Sequence, residues 1–177
     1  MDRRKVTLAG LLATLGLAAN TATPIFAQTS DPHNRMNIWV GRWRETVELK
    51  ETAYSHAATI PSQVTCGWSS NQGFMVCEYL HDTTDALSIF RYDDKDKTYK
   101  HVGIVKDGKT REEIPVVVEG NLWRYTYQET TKSGAKLDLR DSYEFVTPEK
   151  RITRIEVSAD GGQHWNLVAE EVGTKVS

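Results

Sequence analysis

The 177-residue sequence predicts an all-β protein, a single antiparallel barrel of about ten strands that follows a cleavable N-terminal segment. Three observations predict it. Polar and apolar residues alternate with period two in several stretches, turn-forming residues recur between them at short intervals, and almost nothing shows the spacing of an amphipathic helix.

The chain begins with Met1-Asp2-Arg3-Arg4-Lys5, continues with an uncharged apolar run from Val6 to Ala19, and after a polar break reaches Pro24-Ile25-Phe26-Ala27. A basic start, a short apolar core and a small residue at the end make a secretory signal peptide over residues 1–27, with cleavage after Ala27. The apolar run is shorter than the roughly 20 residues a bilayer requires. No cysteine lies nearby to carry a lipid. The expected compartment is therefore periplasmic or extracellular, with no stable membrane insertion after cleavage. The Arg3-Arg4 pair leaves both the unfolded and the twin-arginine export routes open. Cleavage removes three basic residues and one acid and takes the formal charge from −2 to −4. A mildly acidic chain whose charges are interspersed offers no basic face to nucleic acid.

About 150 residues remain, one domain of common size. They divide into a polar leader, residues 28–37, and the barrel domain, residues 38–177. Only Asn34 to Val40 reads as a helical turn. From Gly41 to Lys50, Trp43, Val47 and Leu49 fall on one side, and Arg42, Arg44, Thr46, Glu48 and Lys50 on the other. Leu137, Leu139, Tyr143 and Phe145 likewise share a face opposite Lys136, Asp138, Arg140, Ser142 and Glu144. Turn signals stand at Asn71-Gln72-Gly73, Asp93 to Lys97, Asp107-Gly108, Gly120-Asn121, Ser133-Gly134, Pro148 and Asp160-Gly161-Gly162. Successive hairpins with one apolar face each close as a sandwich or as a barrel. The barrel is favoured because strand phase would turn Trp43, Trp68, Tyr79, Trp123, Tyr125 and Trp165 inward, an aromatic load suited to a cavity wall or to a packed core.

Cys66 and Cys77 lie four residues outside positions 70 and 73, which would close a two-residue loop at Asn71-Gln72. That register sets them directly opposite each other, at the roughly 4.5 Å Cα separation of a non-hydrogen-bonded pair, and export favours their oxidation to a disulfide. A redox role would need closer spacing and a thiolate-stabilising environment.

Motifs for nucleotide binding, hydride transfer, serine hydrolysis and zinc proteolysis are absent. The histidines are scattered, and His81 with His101 is the one pair on neighbouring hairpins, so neither a metal nor a cofactor is expected. Two acids interrupt apolar faces: Glu45 beside Trp43, and Asp141 between Leu139 and Tyr143. Each would orient a polar ligand or act as a general base, unless an inward arginine neutralises it or a bulge turns it outward.

Four stretches carry a family resemblance: Val40-Gly41-Arg42-Trp43, SIFRYDDKDKTYKHVGI from Ser88, EGNLWRYTYQ from Glu119, and SADGGQHW from Ser158. On these the chain resembles a bacterial lipocalin-like, calycin-type family known as domain of unknown function fifteen seventy-nine. The resemblance implies a barrel closed at one end by Trp43, with a late-strand arginine, Arg151 or Arg154, lying across it. It brings no catalytic residues. The SADGGQHW stretch also resembles the Asp-box of sialidase-type propellers, but one copy makes a hairpin corner, not a propeller. The functional expectation is a binder of a small apolar or amphipathic molecule, with Trp43, Glu45, Trp68, Tyr79, Trp123, Tyr125 and Asp141 as candidate contacts. The alternatives are an isomerase or hydrolase using Glu45 or Asp141, and a closed-core interaction module.

Overall fold

In the computed structural model, which describes residues 31–80, 85–131 and 133–177, ten strands form one closed antiparallel barrel. They are β1 (Gly41–Leu49), β2 (Ala58–Trp68), β3 (Met75–Tyr79), β4 (Asp85–Asp93), β5 (Thr98–Val105), β6 (Ile114–Glu119), β7 (Leu122–Thr130), β8 (Lys136–Thr147), β9 (Lys150–Ser158) and β10 (Asn166–Lys175). Each strand pairs with the next, and β1 pairs with β10 to close the ring, so among the described strands none is a terminal edge strand. The proposed signal segment, the first three residues of the leader and His81 lie outside the described residues.

Alternation decides which side chains enter the barrel. In β1, Trp43, Glu45 and Val47 are buried while Arg42, Arg44, Thr46 and Glu48 are exposed. In β8, Asp141, Tyr143 and Phe145 are buried, as the period-two pattern requires. The outer wall is charged: Arg140 donates to Glu156 at 2.8 Å, and Arg154 to Glu144 at 3.2 Å and to Glu170 at 3.0 Å. Among the described residues no helix is long and apolar enough to cross a membrane.

One end of the barrel is sealed by the segment before β1. Asp31 caps a short helix, α1 (Pro32–Arg35), by accepting from the His33 amide at 2.9 Å, and Pro32 sits where a missing N–H does no harm. A 3₁₀ turn over Met36–Trp39 then drops Met36 and Trp39, both fully buried, into the barrel mouth. Trp39 stacks on Phe90 at 4.6 Å and meets Trp123, Tyr143 and Phe145 edge-on. Trp43 donates its indole N–H to the Trp39 carbonyl at 3.0 Å, and Tyr99 donates to the Pro32 carbonyl at 3.0 Å. The helical turn thus begins two residues earlier than the sequence pattern placed it.

The β2–β3 hairpin holds the expected register, with Cys66 directly opposite Cys77 and joined to it by a disulfide. The Ser158–Trp165 stretch is a hairpin corner. Asp160 Oδ1 accepts from the amides of Gln163 and His164, both at 3.0 Å, while Gly161 and Gly162 take φ of 71° and 83°, where a side chain would be strained. That turn corrects one expectation: Trp165 does not point into the barrel. It precedes β10 and lies outside, under the Arg140 guanidinium, 4.2 Å from ring centroid to Cζ.

Candidate functional site

The barrel interior has three levels. The floor is aromatic and fully buried: Trp39, Trp43, Phe90, Trp123 and Phe145. The rim at the opposite end is half-buried, because Leu49, Ile60, Tyr127, Leu139 and Ile155 follow the inward phase of their strands yet retain partial exposure. Between floor and rim lies a buried belt of polar side chains. It contains Glu45 of β1, Ser62 of β2, Ser88 of β4, His101 of β5, Asp141 of β8, Arg151 and Thr153 of β9, and Glu171 of β10. Tyr79, Tyr125 and Tyr143 complete it.

Arg151 is the centre of the belt. Its Nε donates to Glu45 Oε1 at 2.7 Å, and Nη2 lies equally close to that oxygen without an aligned N–H. Its guanidinium lies over Trp43, 4.7 Å from the ring centroid, and 5.4 Å from that of Trp39. Arg151, not Arg154, is thus the late-strand arginine of the floor. Burial works against its charge, but the Glu45 carboxylate together with the neighbouring Tyr79 and Tyr143 holds its pKa above the ordinary value. The pair exists because Gly173 of β10 stands between its partners in register. A Cβ at Gly173 would come within 2.7 Å of Glu45 Oε1 and 3.1 Å of Arg151 Cγ, so a larger residue would push the pair apart. Of the readings open for Glu45, neutralisation by an inward arginine is the one realised.

Glu171 lies directly across from Thr153 on β9 and Val47 on β1. Burial first, and then the negative charge of Glu45, push its pKa up to about 8, against the pull of Arg151. This side chain is a neutral carboxylic acid at neutral pH. On the other wall, His101 stacks on Tyr125 at 4.2 Å and shares a 3.0 Å hydrogen bond with Ser88 Oγ. Burial, helped by the Arg111 charge, pushes its pKa down to about 3, so the imidazole is neutral. The Tyr125 and Tyr143 hydroxyls are 3.1 Å apart, and burial raises both pKa values well above normal. The Tyr79 hydroxyl is buried as well and pushed up to about 12.

Several buried polar atoms of the belt have no hydrogen-bond partner among the described residues: Glu45 Oε2, Ser62 Oγ, Arg151 Nη1 and Thr153 Oγ1. Unpaired polar atoms are costly away from water, and when gathered on one inner wall they define a surface complementary to a polar guest. Chemically, the belt can donate from a guanidinium, hydroxyls and a protonated acid, and can accept at Glu45.

Of the residues expected from sequence, Glu45, Tyr79, Tyr125 and Asp141 reach the belt, while Trp43 and Trp123 lie in the floor beneath it. Trp68 sits at the sealed end, half-buried, with its indole N–H on Asn37 Oδ1 at 2.7 Å, and stays apart from the belt. Sequence reasoning missed Glu171, Thr153 and Ser62. For Glu171 a signal existed: Glu170 and Glu171 are adjacent in a strand, so one of the two has to point inward.

Solved structures that share this fold include two from different organisms. One is Rv2717c from M. tuberculosis, 11% identical with a TM-score of 0.54, matching 83% of this chain and 99% of that one. The other is the S-type phycobiliprotein lyase CPES from Guillardia theta, 10% identical with a TM-score of 0.53, matching 81% of this chain and 92% of that one. Neither family models nor curated protein sequences match the chain. At such identities the likeness is one of fold alone.

Proposed function

We propose that this is an exported lipocalin-like protein that holds one small amphipathic molecule inside the barrel, its polar head in the belt and its apolar part toward the open rim. The observation that carries this reading is the belt itself, where unpartnered polar atoms of Glu45, Ser62, Arg151 and Thr153 lie between an apolar floor and a half-exposed apolar rim. A closed structural core would be expected to satisfy or replace such groups. Pockets for small ligands combine apolar walls with a few convergent polar groups. That a barrel of similar fold is a phycobiliprotein lyase lends support by analogy of fold alone.

Export rests on the basic-then-apolar start of the chain, and the Cys66–Cys77 disulfide fits an oxidising compartment. Membership of the bacterial lipocalin-like family named above is part of the same reading. Native mass spectrometry of protein recovered from its own compartment tests the binding. A retained mass of a few hundred daltons is the expected result, and repeated recovery of the bare polypeptide, with no thermal shift against a panel of amphipathic compounds, would overturn it.

A further inference from the structure

The charges inside the barrel say which class of head group fits. Among the described residues the buried side chains include three carboxyl groups, Glu45, Asp141 and Glu171, against one guanidinium, Arg151. Arg151 is already matched by Glu45 at 2.7 Å. A ligand carboxylate would bring one more anion to a cation that is spoken for, beside the Glu45 carboxylate that already matches it, and desolvated like charges are strongly unfavourable. A neutral oxygen on Arg151 Nη1 is compatible. The unpartnered Glu45 Oε2 can only accept, and the unpartnered hydroxyls of Thr153 and Ser62 stand directly opposite Glu171 and Glu45 in register.

We propose that the guest is an amphipathic amine, whose protonated ammonium group lies among Glu171, Thr153 and Glu45 Oε2. This rests on the binding function proposed above and narrows it. An ammonium carries three donors and no acceptor, the complement of these groups. Its arrival changes the protonation of Glu171, which faces Glu45 from β1, Arg151 from β9, and Asp141 and Tyr143 from β8. Empty, the barrel keeps Glu171 protonated near neutral pH. With an ammonium beside it, Glu171 becomes a carboxylate and its proton passes to solvent, so charge within the belt is conserved.

The experiment uses the folded, disulfide-bonded chain and three probes of equal tail length: decylamine, decanoate and 1-decanol. Binding is read by tryptophan fluorescence, and proton release by calorimetry at pH 7 in two buffers of different ionisation enthalpy. Decylamine should bind at least about tenfold tighter than either other probe and release close to one proton. Glu171→Gln should abolish the proton release and weaken decylamine about tenfold or more, a larger loss than 1-decanol shows. Should that variant fail to fold, Thr153→Val replaces it, with a smaller loss that is greater for the amine than for 1-decanol. Decanoate or 1-decanol binding as tightly as the amine, or amine binding without proton release, overturns the amine assignment and leaves amphipathic binding standing. Failure of all three probes overturns both.

Discussion

Arg151 and Arg154 leave the same strand three residues apart, and both are paired with acids, Arg154 on the two adjacent strands and Arg151 two strands away, yet they belong to different energetic regimes. Arg151 is fully buried and meets Glu45 across Gly173 inside the barrel. Arg154 is half-exposed and bridges Glu144 and Glu170 on the outer wall. Inside, neither member can turn to water when its partner is lost; outside, both can. The same ion-pair chemistry is therefore structural in one place and ornamental in the other. The largest expected effect follows. Glu45→Leu, which strands the guanidinium, should lower unfolding free energy by about 3–5 kcal/mol, read as a shift of the urea midpoint. Adding Arg151→Met should recover most of that loss, because two apolar side chains of similar size no longer bury a charge. A single-variant loss under about 1 kcal/mol would mean that the interior is wet enough to erase the contrast.

The disulfide asks the same question of a covalent link. Cys66 and Cys77 are both buried and lie opposite one another on β2 and β3, so the bond closes only a short hairpin. Replacing both by serine should cost about 2–4 kcal/mol, the range for native bridges, measured by urea unfolding beside the oxidised parent. A loss near zero would show that the hairpin register is held by strand pairing alone.

Next in size is a dependence on pH, which separates the belt from the outer wall. Glu171 has a pKa of about 8 in the folded state against 4.5 when unfolded, so between these values the folded chain binds the extra proton. Its contribution to stability is full below pH 4.5 and is lost as pH rises through 8. His101 acts in the opposite direction: with a folded pKa of about 3 against 6.5, its contribution is full above pH 6.5 and is lost as pH falls toward 3. Between pH 6.5 and 8 only the Glu171 slope should remain of these two. Glu171→Gln should flatten that decline while leaving the acid-side loss intact. Parallel curves for parent and variant would show that Glu171 does not hold its proton in the fold.

Much of this was legible in the sequence, for one reason. Alternation at Trp43 to Leu49 and Leu137 to Phe145 encodes two faces, which a sandwich or a closed barrel of hairpins satisfies, and the inward aromatic load tipped the choice to the barrel that is observed. The cysteine spacing fixed its own register because a hairpin pairs residues symmetrically about its turn. What escaped is equally physical. Extending strand phase across the Asp-Gly-Gly corner puts Trp165 on an inner face, but positive φ breaks the phase there. Arg151 and Arg154 could not be told apart because the β8–β9 register shifts between Phe145 and Thr147, and a shift of one residue exchanges the faces. The helical turn before β1 was legible, but not its role as a seal, because a turn so short does not show by periodicity that Met36 and Trp39 are the side chains it buries. The belt needed closure: Glu45, Arg151 and Glu171 are brought together from strands at opposite ends of the chain only when β1 pairs with β10.

The smallest effect is the control on which the comparison rests. Arg154→Ala removes two contacts at once, to Glu144 at 3.2 Å and to Glu170 at 3.0 Å, where a count of ion pairs would forecast a greater loss than at Arg151 with its single acid. Solvent reverses that order, since both acids on the outer wall rehydrate when the arginine is gone, and salt already screens the pairs in the parent. The expected loss is under about 1 kcal/mol and should shrink further as ionic strength rises, whereas the Glu45→Leu loss should be nearly insensitive to salt because its surroundings exclude ions. Urea midpoints of both variants at low and high salt distinguish the cases. If Arg154→Ala were as damaging as Glu45→Leu, or if both lost their effect in salt together, then burial would not be what separates the two arginines, and the belt would be an extension of the surface.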